Sequence, residues 1–225
     1  KEIAEFKKQY SFRLLVDDAH GFGTLGKTGA GAGEEQGCQD QIDVYFSTFA
    51  KSMAGFGAFL AGDKEIIRYL KFNLRSQIFA KSLTMPMVIG GLKRLELLRS
   101  RPEIKAKLWE NVYKLQNGLT ERGFNIGDTN TCVTPVMMQG TPVEATLLVK
   151  DLRENYGIFT SVVVYPVIPK GMILLRLIPT ASHTDAEINE TLAAFEAIHD
   201  KLVGGYYKEQ EQKLLQEQGL SFKPI

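Results

Sequence analysis

The sequence predicts an α/β fold, in which short buried strands alternate with amphipathic helices. Residues 14–16 and 44–49 are apolar runs rich in β-branched and aromatic side chains, and turn residues bound both of them. This pattern is typical of strands that are buried on both faces of a sheet. Later segments combine capping signals with an apolar stripe at the helical period, which indicates helices packed against such a sheet.

Composition excludes several classes of function. The net charge is +1, and without a dense basic cluster there is no electrostatic reason to expect a nucleic-acid partner. Pro86, Gly90 and Pro166 interrupt the most apolar stretches, so we expect no transmembrane segment. The two cysteines, Cys38 and Cys132, have no metal-type spacing, which favours a reducing, cytoplasmic location and no bound metal.

The first part of the chain reads as the end of a larger sheet domain. We expect a helix over residues 1–10 that leads into the first strand, and a strand at 58–61 after the one at 44–49. Asp63 is a candidate N-cap for a helix that runs to about residue 74. Residues 75–82 are predicted to form a polar turn, and Pro86 to open a long helix that leaves the domain.

Six glycines lie within residues 21–33, directly after the first strand. Gly21, Gly23 and Gly26 form a literal Gly-x-Gly-x-x-Gly, which raises a dinucleotide-binding alternative. Because further glycines follow at once, we expect no helix N-terminus there to bind a pyrophosphate. The loop is instead expected to let backbone approach a cofactor or a partner subunit, or else to be a mobile surface loop.

A second, small α/β domain is predicted to follow a boundary near residue 100. Capping boxes are predicted to open its helices at Ser100, Thr141 and Thr184, with Glu three residues after each. Its strands are expected over residues 131–138, 158–164 and 172–178, and Gly157 should end the second of its three helices. The predicted organisation is therefore residues 1–99, residues 100–204 and a polar tail at 205–225, which is expected to be a solvated or partner-docking helix.

Polar groups follow both strands of the first domain. Asp17 and His20 come after one strand, and Thr48 and Lys51 come after the next. Ligands of α/β sheets bind outside the carboxyl ends of strands, so these four side chains are expected to converge on one small molecule. Asp18, the neighbour of Asp17, is expected to point to the opposite face.

This set of groups suits pyridoxal phosphate (PLP). A lysine amine can hold the aldehyde as a Schiff base, and Lys51 is the candidate. The Asp17 carboxylate can keep the pyridine nitrogen protonated, which makes the ring an electron sink. His20 can reach the phenolic oxygen or a substrate carbonyl, and the Thr48 hydroxyl can hold the phosphate.

The motifs resemble those of the α-oxoamine synthases, PLP enzymes of fold type I that condense an amino acid with an acyl thioester and release carbon dioxide. The resemblance begins with Val-Asp-Asp-Ala-His-Gly-x-Gly and Thr-Phe-x-Lys-Ser and reaches about residue 202. It includes residues 75–82, 165–169 and 176–184. The Thr-Phe-x-Lys-Ser motif and the His-to-Lys spacing are most similar to those of the serine palmitoyltransferases.

The resemblance implies the C-terminal part of a fold-type I enzyme. Family members are much longer, and their first half carries a phosphate-binding loop and a ring-stacking histidine, so we expect a longer protein. It further implies that Arg176 binds the substrate carboxylate. Ser82 is expected to reach the phosphate of the neighbouring subunit in a homodimer with shared active sites, although Ala80 and Lys81 replace the usual small polar residues.

The substrates implied by the resemblance are serine and a long-chain acyl thioester. Glycine, alanine or cysteate are alternatives to serine, and the donor is acyl-CoA or acyl-ACP. Two alternatives belong to other classes, namely a nucleotide-binding oxidoreductase built on the glycine loop and a non-catalytic subunit or fragment. The presence of Lys51 favours an enzyme over the second of these, because a scaffold has no need of that amine.

Overall fold

The structure is a computed structural model that describes residues 1–217. The chain divides into two compact units, Lys1–Ala106 and Lys107–Ile225. We call them unit 1 and unit 2. The division falls a few residues after the expected boundary, inside a helix that spans Pro102–Glu121.

Unit 1 contains three strands and several helices. In chain order they are α1 (Glu2–Glu5), β1 (Leu15–Asp17), α2 (Ala32–Glu35), β2 (Val44–Thr48), β3 (Ala58–Gly62), α3 (Lys64–Asn73), α4 (Arg75–Ile78), α5 (Met85–Ser100) and the start of α6 (Pro102–Glu121). Single 3-10 turns cover Phe6–Lys8 and Gln39–Gln41.

The sheet of unit 1 has the order β1-β2-β3. β1 and β2 are parallel, with Asp17 opposite Phe46, whereas β3 is antiparallel to β2. Only one face of β2 is fully buried, through Tyr45 and Ser47, and Leu15 of β1 is 61% exposed. The prediction of strands buried on both faces is therefore wrong for the described residues.

Three local predictions in unit 1 are also wrong. The first helix ends at Glu5 and is followed by a 3-10 turn, from which the Lys7 ammonium reaches the carboxylate of Asp43. The expected polar turn at 75–82 begins with α4. The capping box at Ser100 does not form, because α5 continues through Ser100 and Glu103 instead accepts a hydrogen bond from Arg101.

Unit 2 is a small α/β domain whose antiparallel sheet has the order β4-β6-β5. Its further elements are β4 (Thr134–Gln139), α7 (Pro142–Tyr156), β5 (Ser161–Val163), β6 (Met172–Leu177), α8 (Asp185–Val203) and α9 (Tyr206–Glu217). The first two strands are shorter than predicted. The capping boxes at Thr141 and Thr184 are confirmed, as is the left-handed Gly157 that ends α7.

The core of unit 2 lies between its sheet and its helices. Alternate residues of β6 face inward, so Ile173, Leu175 and Leu177 are buried. They join a cluster of buried side chains from α6, α7 and α8. In that cluster the rings of Phe124 and Phe195 meet edge to face, 5.3 Å apart.

The polar tail forms the expected helix, α9, as far as the structure describes it, and α9 packs on α7 and α8 of the same unit. The Asp151 carboxylate of α7 accepts hydrogen bonds from the Tyr207 hydroxyl at 2.6 Å and from Lys201 at 2.7 Å. The buried Glu211 accepts a hydrogen bond from the Thr141 hydroxyl. Residues 218–225 of the predicted tail lie outside the described residues.

None of the helices in residues 1–217 has the length and apolar character needed to cross a membrane.

Candidate active site

The candidate site lies at the carboxyl ends of the parallel strands β1 and β2. Asp17 is the last residue of β1, and Thr48 is the last residue of β2. Since the strands are parallel, both lead into loops at the same edge of the sheet. His20 and Lys51 follow in those loops, so the four predicted side chains come from one edge.

The two neighbouring aspartates have different surroundings. Asp17 is exposed and accepts a hydrogen bond from the amide of Ala19 at 3.1 Å. Asp18 is buried, and its Oδ2 accepts hydrogen bonds from the Tyr45 hydroxyl at 2.8 Å and the Ala32 amide at 2.7 Å. Asp18 is committed to the fold, which leaves Asp17 as the carboxylate open to a ligand.

Tyr45 is kept as a hydrogen-bond donor by its surroundings. Burial raises the pKa of the Tyr45 phenol, and the hydrogen bond to the Asp18 carboxylate raises it further. Both effects disfavour the phenolate, since it would be a second buried negative charge beside Asp18. The hydrogen bond from Tyr45 to Asp18 therefore attaches the start of the glycine-rich loop to β2.

The glycine-rich loop wraps closely around Asp18. A Cβ atom on Gly21 would lie 2.1 Å from one carboxylate oxygen of Asp18, and one on Gly31 would lie 1.9 Å from the other. Gly31 also has φ of 102°, a conformation that favours glycine. Gly21 and Gly31 therefore allow the loop to pack closely against Asp18. Turns separate Gly26 from α2, so no helix begins at the Gly-x-Gly-x-x-Gly motif.

Lys51 lies in a closed turn over residues 49–57. The Phe49 amide donates to the carbonyl of Gly57 at 2.9 Å, and the Ala54 amide donates to the carbonyl of Lys51 itself at 2.9 Å. The Lys51 side chain is exposed, and no acidic residue in the described part of the chain forms an ion pair with it. The turn thus presents an amine that the fold does not use.

The Thr48 hydroxyl takes part in the same turn. It accepts a hydrogen bond from the Ala50 amide and donates one to the carbonyl of Gly57, both at 3.1 Å. Its proton is thus directed to the backbone in this structure. A phosphate contact, which remains a prediction, would require this hydroxyl to redirect its proton.

Ser52 also belongs to this site, although the sequence patterns did not predict a role for it. Its hydroxyl donates to the carbonyl of Phe22 at 2.6 Å, which ties the Lys51 turn to the glycine-rich loop. Gly23 permits this approach, because a Cβ there would lie 2.6 Å from the Ser52 hydroxyl oxygen. Two features of the sequence could have indicated this contact. Ser52 directly follows the candidate lysine, and Gly23 follows Gly21 by two residues in the neighbouring loop.

An apolar cavity of about 410 Å³ lies in unit 1 beside the Lys51 turn. Phe59 is central to its wall, with ring centroids 5.1 Å from Phe22 and 5.3 Å from Phe49. Residues of α5 form the opposite wall. The turn that carries Lys51 therefore borders a hydrophobic space.

His20 and Ser82 lie in exposed segments of unit 1. His20 is in the turn that follows β1, where its carbonyl accepts a hydrogen bond from Thr24. Ser82 lies between α4 and α5, next to Leu83, whose side chain approaches Gly57 of the Lys51 turn. The roles predicted for both residues remain predictions.

Arg176 belongs to β6 of unit 2, on the face away from the buried side chains of that strand. Its Nε donates a hydrogen bond to the Ser161 hydroxyl at 3.2 Å, and its carbonyl accepts one from Thr160 at 3.2 Å. The side chain is half-buried, and within residues 1–217 no carboxylate pairs with it. A half-buried guanidinium without an acidic partner is suited to bind an anion.

The residues at the edge of the unit 1 sheet fit PLP. They combine an unpaired amine, an exposed carboxylate, an imidazole and a hydroxyl on two adjoining loops. These are the groups needed for the aldehyde, the pyridine nitrogen, the phenolic oxygen and the phosphate.

Comparisons with known proteins agree with this chemistry. The family model for aminotransferase class I and II matches residues 1–195. A cysteate-C-fatty acyltransferase of Capnocytophaga ochracea is 65% identical over 219 residues, which is 97% of this chain and 52% of the relative. A serine palmitoyltransferase of Sphingobacterium spiritivorum is 37% identical over 191 residues, 85% of this chain and 47% of the relative.

Solved structures show the same fold. A high-resolution structure of SPT with PLP has a TM-score of 0.82 and 30% identity, and the match covers 87% of this chain and 49% of that one. Serine palmitoyltransferase of Sphingomonas wittichii also has a TM-score of 0.82, with 29% identity and the same coverage. The chain spans about half the length of the curated relatives it matches. It belongs to the aminotransferase class I and II family and, within it, to the PLP-dependent α-oxoamine synthases.

Proposed function

We propose that the protein carrying this chain condenses an amino acid with a fatty acyl thioester and releases carbon dioxide, with PLP as cofactor. The observation that carries the proposal is that the unpaired Lys51 amine, in a closed turn after β2, and the exposed Asp17, at the end of the parallel strand β1, lie at the same edge of the sheet. The likeness to the α-oxoamine synthases supports the reaction class.

Cysteate is the amino acid that we propose first. The relative named for cysteate is 65% identical over nearly the whole chain, against 37% over 85% of the chain for the relative named for serine. Serine, which the sequence motifs favour, remains the second proposal, and glycine and alanine follow. Acyl-CoA and acyl-ACP are both proposed as donors, since the fatty acyl group is common to them.

When bound, PLP supplies an electron sink for the negative charge that forms on the α-carbon of the amino acid. The Lys51 amine would hold the cofactor at its aldehyde group. When it is not bonded to the cofactor, the same amine would act as the base that takes the α-proton of the amino acid. The Asp17 carboxylate holds a proton on the pyridine nitrogen, because an adjacent negative charge favours the protonated form.

The remaining residues position the substrate and the cofactor. The Arg176 guanidinium binds the carboxylate of the amino acid, and this carboxylate is later released as carbon dioxide. His20 donates a hydrogen bond to the carbonyl oxygen on which charge develops. Thr48 and the partner-facing Ser82 bind phosphate in a proposed homodimer with shared active sites.

Replacement of Lys51 by alanine tests the reaction class in the native protein. We expect loss of the visible absorbance of bound PLP and loss of product, while the far-UV circular dichroism stays unchanged because Lys51 is exposed. The matched control is Lys64→Ala, which replaces an exposed lysine at the start of α3. This variant should keep both the visible absorbance of bound PLP and product formation. Visible absorbance that survives dialysis in Lys51→Ala would contradict the assignment.

Competition between amino acids tests the substrate. With one fatty acyl thioester as donor, we expect kcat/KM for L-cysteate to exceed that for L-serine by at least about tenfold, since one extra charge-assisted contact contributes about 1.5–3 kcal/mol. A higher value for serine would support the second proposal. A native protein that binds no PLP would favour the non-catalytic alternative.

A further inference from the structure

Two consecutive residues of unit 2 hold Arg176 at its backbone and at its side chain. The hydroxyl of the buried Thr160 donates to the Arg176 carbonyl at 3.2 Å. The hydroxyl of Ser161 accepts a hydrogen bond from Arg176 Nε, also at 3.2 Å. Ser161 and Arg176 are register partners across β5 and β6, so their side chains lie on the same face of the sheet.

The contact with Ser161 uses the single hydrogen on Nε. A guanidinium has five N–H donors, and the other four are on the two terminal nitrogens. No carboxylate in residues 1–217 pairs with this side chain. The terminal nitrogens are thus left as the donors for a ligand.

This arrangement selects one of the two ways in which arginine binds a carboxylate. The side-on mode uses Nε and one terminal nitrogen, whereas the end-on mode uses both terminal nitrogens. Because Ser161 engages the Nε hydrogen, the side-on mode would require that bond to break. The end-on mode leaves it in place.

We propose that Ser161 is a positioning residue that presents the terminal nitrogens of Arg176 end-on to the carboxylate of the amino acid substrate. The inference rests on the proposed function, in which Arg176 binds that carboxylate. Ser161 does not touch the substrate. It acts by holding the guanidinium in one orientation before the substrate arrives, which lowers the cost of ordering on binding.

Steady-state kinetics of Ser161→Ala in the native protein measures this effect. Loss of one hydrogen bond that orients the guanidinium should raise KM for the amino acid about three- to tenfold. The turnover number and KM for the acyl thioester should not change, because neither depends on the carboxylate contact. Ser161→Thr keeps a hydroxyl on a residue suited to strands and should restore the wild-type KM.

Combination with Arg176→Ala separates the inference from the proposed function. In an Arg176→Ala background, Ser161→Ala should add no further increase in KM, since there is no guanidinium left to orient. If Arg176→Ala raises KM and Ser161→Ala does not, the positioning role is wrong and the proposed function stands. If Arg176→Ala leaves KM unchanged, the proposed carboxylate site is wrong.

A structural role for Ser161 gives a different result. It would lower the thermal midpoint of Ser161→Ala and weaken the amino acid and the acyl thioester alike, and that outcome would overturn the positioning role. The positioning role would also be overturned if Ser161→Thr had the thermal midpoint of the wild type but did not have the wild-type KM for the amino acid.

Discussion

The two units of the chain differ in how far their apolar side chains are buried. In unit 2, the cluster of buried hydrophobic residues extends from Leu115 to Tyr207 and fills the space between sheet and helices. In unit 1, large apolar side chains lie on the surface, and examples are Phe79 at 77% exposed and Leu92 at 64%. The 16-residue helix α5 has no buried residue.

Two units with similar α/β patterns therefore need not be equally stable. Burial of apolar area contributes about 25 cal/mol per Å², and it is the main term that offsets chain entropy. In unit 2, the buried cluster of its own residues supplies this stabilisation. In unit 1, contacts among the described residues bury too little apolar area to do so. We therefore expect the fold of unit 1 to depend on contacts with additional protein surface.

Separate expression of the two parts is the strongest test of this comparison. We expect residues 102–225 to fold alone and to unfold cooperatively on heating, because the buried cluster is contained in them. Residues 1–101 alone should show no cooperative transition. Circular dichroism during a thermal scan measures both, and a sharp transition for residues 1–101 would refute the comparison.

Truncation of one apolar residue in each unit should give unequal losses. Phe195→Ala removes a fully buried ring from unit 2 and should lower the free energy of unfolding by about 3–5 kcal/mol. Leu92→Ala in the exposed face of α5 should change it by less than about 0.5 kcal/mol. Urea unfolding of the isolated 225-residue chain compares the two, and equal losses would mean that α5 is already buried by residues of this chain.

The two aspartates of unit 1 provide a comparison within one site. Asp18→Ala leaves the buried Tyr45 hydroxyl and the partly buried Ala32 amide without their acceptor, and should cost about 2–4 kcal/mol of stability. Asp17→Ala should leave stability nearly unchanged but abolish product formation. Thermal unfolding and an activity assay on both variants distinguish them, and a stable, inactive Asp18→Ala would reverse the assignment.

The smallest effect concerns the Asp151 contacts that attach α9 to unit 2. Burial acts to raise the pKa of Asp151, but hydrogen bonds from Lys201, Tyr207 and Asn155 outweigh it and hold the pKa below its usual range. A carboxylate with a lowered folded-state pKa stabilises the fold above its unfolded pKa, and this contribution is lost as pH falls through the folded pKa.

Asp151→Asn should therefore cost about 1–2 kcal/mol at neutral pH and progressively less below about pH 4. The matched control is Glu154→Gln in the same helix, whose carboxylate makes only an exposed contact with Lys150 at 3.9 Å. It should cost less than about 0.5 kcal/mol. A loss in Asp151→Asn that persists unchanged at pH 3 would contradict the role of the ionised carboxylate.

The α/β class, the capping boxes at Thr141 and Thr184, and the strand ends that carry Asp17 and Thr48 were all predictable from local sequence patterns. The family was also predictable, through the motifs around His20 and Lys51. These features depend on signals within a few residues of each other, such as a hydroxyl followed by Glu at the third position or an apolar run followed by polar groups.

Tertiary structure alone decided the features that depend on distant residues. Lys7 contacts Asp43, 36 residues away, where α1 has already ended, and Asp18 is buried by Tyr45, 27 residues away. The orientation of Arg176 depends on Ser161 across a strand pair, and the docking of α9 depends on Asp151, 56 residues before Tyr207. Local patterns cannot encode such pairs, because their energy appears only when the folded chain brings both groups together and removes them from water.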